Sequence, residues 1–214
     1  MRQLSITFLL IFASFLLFSG PSYSAIKGGI NYTIPTDYSN LSEQELSVKA
    51  DKYFYLAKRL EDKKTNEDMT NALMLYSVLQ NMNPENLIYS VRLGILYDKL
   101  QMDRYAKGNL SRAIGINPKA PEPLFYLGEF YYKRTMYRQA LKYYKRAYDN
   151  TTGINYDLSY RMGDIYEKLG DTKSALKYLN EAEIQSPNPE LERKIERIKA
   201  MDSDNSKYYS NLKD

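Results

Sequence analysis

The chain has 214 residues, and its 30 Lys and Arg residues against 26 Asp and Glu residues give a formal net charge of +4. So small an excess of cations offers no electrostatic argument for nucleic acid binding. The chain contains neither cysteine nor histidine, which excludes disulfides, thiol nucleophiles, histidine-based general base catalysis and nearly every zinc site. We therefore expect a chain that is not an enzyme, uses no cofactor or metal, and folds through packing alone.

The N-terminal segment has the features of a secretory signal peptide. A basic start is followed by an apolar run from Leu4 to Phe18 and then by small residues up to Ala25. We predict a signal peptide over 1–24, with cleavage after Ser24 or, next best, after Ala25, and a flexible leader over 25–41. An uncleaved membrane anchor is the alternative, although spanning a bilayer takes about 20 apolar residues. Either way, we expect an exported protein that is periplasmic or secreted, or anchored by this segment.

Three stretches of the chain repeat one pattern around Gly94, Gly128 and Gly163, which lie 34 and then 35 residues apart. Each glycine is followed after twelve residues by alanine, four residues later by Leu or Tyr, and three residues later by a second alanine. These residues are Ala106, Leu110 and Ala113; Ala140, Tyr144 and Ala147; and Ala175, Leu179 and Ala182. A period of this size is typical of an array of helical hairpins. Because glycine lacks a Cβ, we expect the paired helix to approach closely at these positions.

This pattern resembles the tetratricopeptide repeat (TPR), a pair of antiparallel helices of about 34 residues. The resemblance covers roughly Ala50 to Pro187 and implies an all-α fold, a right-handed superhelical α-solenoid of helix-turn-helix repeats. We place the repeats at 50–86, 87–120, 121–155 and 156–189. The first helix's usual Trp is replaced by Ser90, Leu124 and Ser159. We expect that departure to change packing detail and not the fold.

The first repeat is degenerate, as is expected of a terminal repeat with one side in water. The turn between its helices, around 62–66, is about three residues longer than in the other repeats. Ser42 and Glu45 form the capping-box pattern that begins a helix. We therefore expect the repeat domain, over 42–201, to start at Ser42.

A capping helix is predicted to follow the last repeat. Leu191, Ile195 and Ile198 form a narrow apolar stripe in an otherwise charged segment, which is typical of a helix with one buried and one solvated side. We predict this helix over 189–201. The residues after it, 202–214, lack periodicity and are predicted to be disordered.

The resemblance also implies where a ligand binds. In arrays of this family, the first helices of successive repeats line a concave groove that holds an extended or helical peptide. The predicted ligand-binding groove is formed by the residues three before each signature glycine, their neighbours and the residues one after it. In the first repeat, Ala57 takes the place of the glycine. The groove residues are Phe54, Tyr55, Val91, Arg92, Ile95, Phe125, Tyr126, Glu129, Tyr160, Arg161 and Asp164. The alternative is that their aromatic rings pack against the adjacent repeat.

The predicted groove differs from the best-understood case in the family. There, Lys and Asn side chains hold a partner's C-terminal carboxylate, whereas this chain has Phe, Val and Tyr at the matching positions and acids in place of Asn. We therefore expect an apolar partner segment with a basic flank that meets Glu129 and Asp164. Two carboxylates are also the equipment of glycoside hydrolysis, but we interpret this pair as ordinary groove-lining residues.

The repeats, the export signal and the lack of catalytic side chains predict a non-catalytic interaction scaffold or adaptor whose partner is a protein or peptide. Two alternatives remain open. One is a membrane-tethered envelope or secretion assembly factor, and the other is a non-catalytic subunit of an envelope polysaccharide or cell-wall enzyme complex. Contact with a membrane is expected only if the N-terminal segment stays uncleaved.

One local cluster of basic residues stands out within the repeats. It comprises Lys133, Arg134, Arg138, Lys142, Lys145 and Arg146. We interpret the cluster as the solvated outer face of a repeat helix. An anionic partner, such as lipid headgroups or an acidic protein face, is the alternative.

Overall fold

A computed structural model of the chain describes residues 38, 40–59, 67–153 and 155–211. The predicted signal peptide, nearly all of the predicted leader and the predicted long turn at 62–66 lie outside these residues. The described part contains nine α-helices and no β-strand, so the predicted all-α fold class is confirmed. No helix of this part is both long and apolar enough to cross a membrane.

The helices form successive antiparallel hairpins followed by one final helix. Their bounds are α1 Glu43–Arg59, α2 Glu67–Met82, α3 Leu87–Lys99, α4 Asp103–Ile116, α5 Pro121–Tyr132, α6 Tyr137–Asp149, α7 Tyr156–Lys168, α8 Thr172–Gln185 and α9 Pro189–Asn211. They divide into two compact units, one with α1 and α2 and the other with α3 to α9. In the second unit each hairpin packs on the next helix along the chain, α4 on α5, α6 on α7 and α8 on α9.

The first unit begins with the predicted capping box. The Ser42 N–H donates to Glu45 Oε2 at 2.9 Å, and the Glu45 N–H donates to Ser42 Oγ at 3.3 Å. Both bonds satisfy backbone donors that the first turn of a helix leaves unpaired. Helix α1 then buries Phe54 and Ala57 in this unit's core.

The signature glycines hold the hairpins of the second unit together. A Cβ added to Gly94 would lie 2.6 Å from Leu110 Cγ, and one added to Gly163 would lie 2.7 Å from Leu179 Cγ. At Gly128 it would lie 2.6 Å from the ring of Tyr144. The predicted close approach of the paired helices is confirmed, and it explains why the glycine and its large partner recur together.

Each of these hairpins turns through the same backbone motif. Gln101, Thr135 and Gly170 have φ values of 59°, 57° and 79°, in the left-handed region. The N–H of each following residue donates to the carbonyl five residues earlier, as Met136 N–H does to Tyr131 O at 3.0 Å. This is the Schellman motif, which usually has glycine at the left-handed position. Only the last of the three turns has glycine there.

The final helix, α9, buries the predicted apolar stripe. Leu191, Ile195 and Ile198 pack with Leu179 and Ala182 of α8. The predicted end of this helix at 201 is wrong, because the backbone stays helical to 211. Loss of apolar periodicity after the stripe suggested disorder, but the segment contains no Gly or Pro that would end a helix.

Candidate functional site

The predicted groove residues differ widely in their exposure. Phe54 and Val91 are 1% and 0% exposed, and Asp164 is 5% exposed. Tyr55 is 55% exposed, and the other seven are partly buried. Phe54 and Tyr55 belong to the first unit, and the other nine residues belong to the second. The predicted groove residues therefore offer a ligand less exposed surface than the sequence prediction implied.

The position three before the signature glycine serves packing in two repeats. The ring of Phe125 lies 5.7 Å from that of Tyr144, its hairpin partner. Phe54 has the equivalent contact, 6.0 Å from the ring of Tyr76. The expectation that these positions point at a ligand is wrong for Phe54 and Val91, because both side chains are buried.

Glu129 links two neighbouring repeats. Its Oε1 accepts from Arg161 Nε at 2.6 Å, and its Oε2 accepts from Arg161 Nη2 at 3.2 Å. The buried hydroxyl of Tyr144 also donates to Oε1. Burial and the charge of Glu129 raise the pKa of Tyr144. The neutral phenol thus stays a hydrogen-bond donor to the carboxylate.

Asp164 is surrounded by donors from three helices. Its Oδ2 accepts from Tyr132 Oη at 2.6 Å and Lys168 Nζ at 2.5 Å, and its Oδ1 accepts from Lys194 Nζ at 2.5 Å. Burial alone would raise the pKa of Asp164, but these bonds outweigh it and lower the pKa to about 2. Burial and the bond to Asp164 raise the pKa of Tyr132 to about 12. The carboxylate is occupied by this chain, so the structure gives no support to a partner's basic flank meeting it.

These contacts belong to a wider set that we call the ion-pair ladder. It joins the first helices of successive repeats, and α9 takes the place of a further first helix. Its pairs are Arg92–Glu122 at 2.9 Å, Glu129–Arg161 at 2.6 Å, Asp164–Lys194 at 2.5 Å and Glu167–Arg197 at 2.6 Å. The ladder was not predicted from the sequence. Its signal was present as opposite charges recurring 30 or 32 residues apart.

Tyr126 lies between the first two pairs of the ladder. Its ring meets that of Phe125 edge-on at 5.4 Å and stays partly exposed. Burial, and next the nearby carboxylate of Glu122, raise the pKa of Tyr126. We call the surface formed by Arg92, Tyr126, Glu129 and Arg161 the first-helix face.

Tyr160 lies in a cleft at the far end of this row. Its ring stacks on that of Tyr156 at 5.8 Å, and Lys194 Nζ lies 5.2 Å from the ring centre. The cleft has a volume of about 430 Å³. It is lined by Tyr156, Tyr160, Asn188, Glu190, Leu191, Arg193, Lys194 and Arg197. Two phenol rings and several cations make it a mixed aromatic and polar surface.

Comparison with known proteins agrees with the helical hairpins and their signature residues. The sequence profile of the tetratricopeptide repeat matches residues 157–188, which span the hairpin of α7 and α8. A TPR repeat-containing protein of Methanocaldococcus jannaschii is 27% identical over 136 residues. That match covers 61% of this chain but only 23% of the relative.

Solved structures show the same fold. The pilus biogenesis factor PilW has a TM-score of 0.60 at 19% identity, covering 75% of this chain and 71% of that one. MamA has a TM-score of 0.56 at 18% identity, with coverage of 77% and 90%. YrrB has a TM-score of 0.57 at 23% identity, with coverage of 61% and 68%. The chain therefore carries a sequence match to the tetratricopeptide repeat at 157–188 and shares the fold of the TPR protein YrrB.

The repeated hairpin fold determines where the first-helix face lies. Partly exposed charged and aromatic side chains lie on successive first helices, where the repeat brings equivalent residues together. Among the described residues, no group of three or more acidic side chains is placed to hold a metal ion. The first-helix face offers hydrogen-bond donors, hydrogen-bond acceptors and one aromatic ring, which are the groups that bind a protein segment.

Proposed function

We propose that this TPR protein is a non-catalytic scaffold that acts outside the cytoplasm and binds a peptide segment of its partner on the first-helix face. The observation that carries the proposal is the position of Tyr126 between the Arg92–Glu122 and Glu129–Arg161 pairs. A partly exposed ring beside fixed charges combines apolar contact area with orienting hydrogen bonds. A segment lying along the face would contact residues from at least two repeats.

The charged groups of the ion-pair ladder determine which kind of partner peptide can bind this face. Arg161 and Glu122 keep 32% and 43% of their side-chain surface exposed while paired. Partly exposed ion pairs contribute little net stability, so a ligand can share these groups at low cost. The favoured segment therefore carries both hydrogen-bond donors and acceptors, with an apolar side chain over Tyr126. This replaces the basic flank expected from the sequence.

Two of the structural neighbours fit such a role. YrrB is described as a TPR protein with an unusual peptide-binding site, and PilW as a type IV pilus biogenesis factor. Both descriptions belong to those proteins, and the low identities limit the likeness to the fold. They support a peptide partner as one that this fold can accommodate.

Peptide display tests the proposal. A random peptide library is selected on the protein, and the affinity of a selected peptide is then measured for Tyr126→Ala. We expect at least a tenfold loss, about 1.4 kcal/mol. Tyr105→Ala is the control, because Tyr105 is an exposed tyrosine that contacts the ring of Tyr97 but lies on a second helix. An unchanged affinity for Tyr126→Ala would remove the first-helix face from the proposal.

The proposed location outside the cytoplasm is supported by the apolar run from Leu4 to Phe18. Mass spectrometry of the mature chain tests it directly. A chain that begins at Ala25 or Ile26 supports export with cleavage. A full-length chain in the membrane fraction favours the tethered assembly factor, and a full-length chain in the cytoplasm contradicts export.

The proposed lack of catalysis is supported by the absence of His and Cys from the sequence. Incubation of the purified protein with cell-wall glycans and envelope polysaccharides provides the test. We expect no release of reducing ends. Hydrolysis of a glycan by the wild type that is lost in Glu129→Gln would contradict the non-catalytic scaffold and indicate that this carboxylate is catalytic.

A further inference from the structure

Cations recur at one position in three consecutive repeats. Arg104, Arg138 and Lys173 each lie ten residues after a signature glycine and are the second residues of α4, α6 and α8. All three are exposed. We call the exposed side of these three helices that carries them the second-helix face.

Further cations extend this row along the helices. Lys142 and Lys177 follow Arg138 and Lys173 by four residues, so each pair lies on the same side of its helix. Both are exposed. Among the described residues, none of these five cations forms an ion pair with a carboxylate.

The acids of the same helices leave most of this charge unbalanced. Asp103 is paired with Arg134, and Glu181 accepts a hydrogen bond from Tyr148 Oη at 3.0 Å. Asp149 and Glu183 are the other acids of α4, α6 and α8, and Asp171, which caps α8, interacts with the charge of Lys173. The second-helix face is therefore a cationic surface that repeats with the TPR period.

Apolar side chains accompany the cations at the turns. Met136 is 43% exposed and precedes Arg138 by two residues, and Leu169 is 42% exposed and precedes Lys173 by four. The Schellman turns fix the backbone at both positions. Exposed apolar side chains two to four residues from the cations match the interface of a lipid bilayer, which offers phosphate groups and acyl boundaries together. An acidic protein face would match the cations alone.

We propose that the second-helix face docks on an anionic phospholipid bilayer, with the cations against the headgroup phosphates and with Met136 and Leu169 at the acyl boundary. This inference does not depend on peptide binding, because it uses the helices that the first-helix face does not. Arg138 and Lys142 of the basic cluster belong to this face, whereas Lys133 and Arg134 form ion pairs with Asp98 and Asp103. The two faces would let the protein hold a partner close to a membrane.

Flotation with vesicles tests the docking. The full chain is mixed with vesicles of phosphatidylcholine alone or with about one third phosphatidylglycerol, at low and high salt. Because an apolar N-terminal segment would bind both vesicle types, the readout is the ratio between them. We expect at least tenfold stronger binding to the anionic vesicles at low salt, falling at high salt. Equal binding to both would overturn the proposal.

A charge-matched pair of variants assigns the effect to this face. Arg104→Gln, Arg138→Gln and Lys173→Gln together should remove at least tenfold of the anionic preference, since each cation near such a surface contributes about fivefold. The control removes three exposed cations elsewhere, by Lys49→Gln, Lys52→Gln and Lys119→Gln. Equal losses in the two triple variants would show a net-charge effect and contradict the assignment.

A second variant separates a membrane from an acidic protein. Met136→Ser with Leu169→Ser keeps the charge and should weaken binding to anionic vesicles severalfold. Unchanged binding would contradict the insertion of these residues and favour an acidic protein surface. Tyr126→Ala should leave vesicle binding unchanged, so failure of the peptide proposal and failure of this one are distinguishable.

Discussion

The first-helix and second-helix faces of the second unit use charge in opposite ways. On the first, Arg92 and Arg161 form ion pairs with Glu122 and Glu129 of the neighbouring repeat. On the second, Arg104, Arg138 and Lys173 are exposed and lack carboxylate partners among the described residues. Both patterns follow the same repeat period. The same repeat period thus produces one surface whose charges join neighbouring repeats and a second surface whose charges face the solvent.

Loss of a carboxylate from the ladder should have the largest effect on stability. Asp164→Asn leaves Lys168, Lys194 and Tyr132 without their shared acceptor, and we expect a loss of about 3 kcal/mol in the free energy of unfolding. Asp149→Asn, on an exposed second helix, should change it by less than about 0.5 kcal/mol. Urea unfolding measures both. Equal effects would show that a carboxylate of the ion-pair ladder contributes no more to stability than an exposed carboxylate of a second helix.

The same carboxylate predicts a window of acid sensitivity. The pKa of Asp164 is lowered from 3.8 to about 2, so its contribution to stability is present above about pH 4 and is lost as pH falls towards about 2. The loss should be about 2 kcal/mol. Unfolding free energies of the wild type and Asp164→Asn measured across this range should converge at low pH. Parallel curves would show that Asp164 does not hold this pKa.

Glycine substitutions should have opposite signs on the two helix types. Gly128→Ala forces a Cβ to within 2.6 Å of the buried Tyr144 ring, and we expect a net loss of about 1 kcal/mol after the gain in helix propensity. Gly108→Ala on α4 meets no atom within 4 Å and should stabilise by about 1 kcal/mol. Thermal unfolding reports both signs. Stabilisation by Gly128→Ala would mean that the hairpin relaxes freely at this contact.

The turn that connects the two faces should give a small stabilising effect. Thr135 has a φ of 57°. This conformation is sterically strained for a β-branched residue but not for glycine. We expect Thr135→Gly to stabilise by about 1 kcal/mol, and Gly170→Ala at the equivalent turn to destabilise by a similar amount. Calorimetry of both variants checks the pair. The Thr135 Oγ1 hydroxyl donates to Arg134 O at 2.7 Å, and a destabilising Thr135→Gly would show that this bond outweighs the strain.

Local signals in the sequence predicted local structure well. The hairpins followed from Gly94, Gly128 and Gly163, because a missing Cβ and its large partner recur within one repeat. The capping box at Ser42 was equally visible, since it involves only four residues. These features are decided by short-range sterics and hydrogen bonds.

Contacts between repeats were harder to predict. Counting three residues back from Gly94 gave Val91, which is buried because the direction of a side chain depends on the packing of its helix. The pair Glu129–Arg161 links positions separated by slightly less than one period, so the alignment of equivalent residues hides it. The left-handed Thr135 runs against its own backbone preference and was not predicted from sequence.

Glu129 couples the core to the surface, because it accepts hydrogen bonds from both the buried phenol of Tyr144 and the guanidinium of Arg161. If a ligand carboxylate captures Arg161, Glu129 keeps only the hydroxyl of Tyr144 among the partners described above. A ring in the middle of the hairpin would then experience a less compensated negative charge. Binding of a ligand to Arg161 would therefore be detected in the core, as a shift in the ultraviolet absorbance or ring NMR signals of Tyr144.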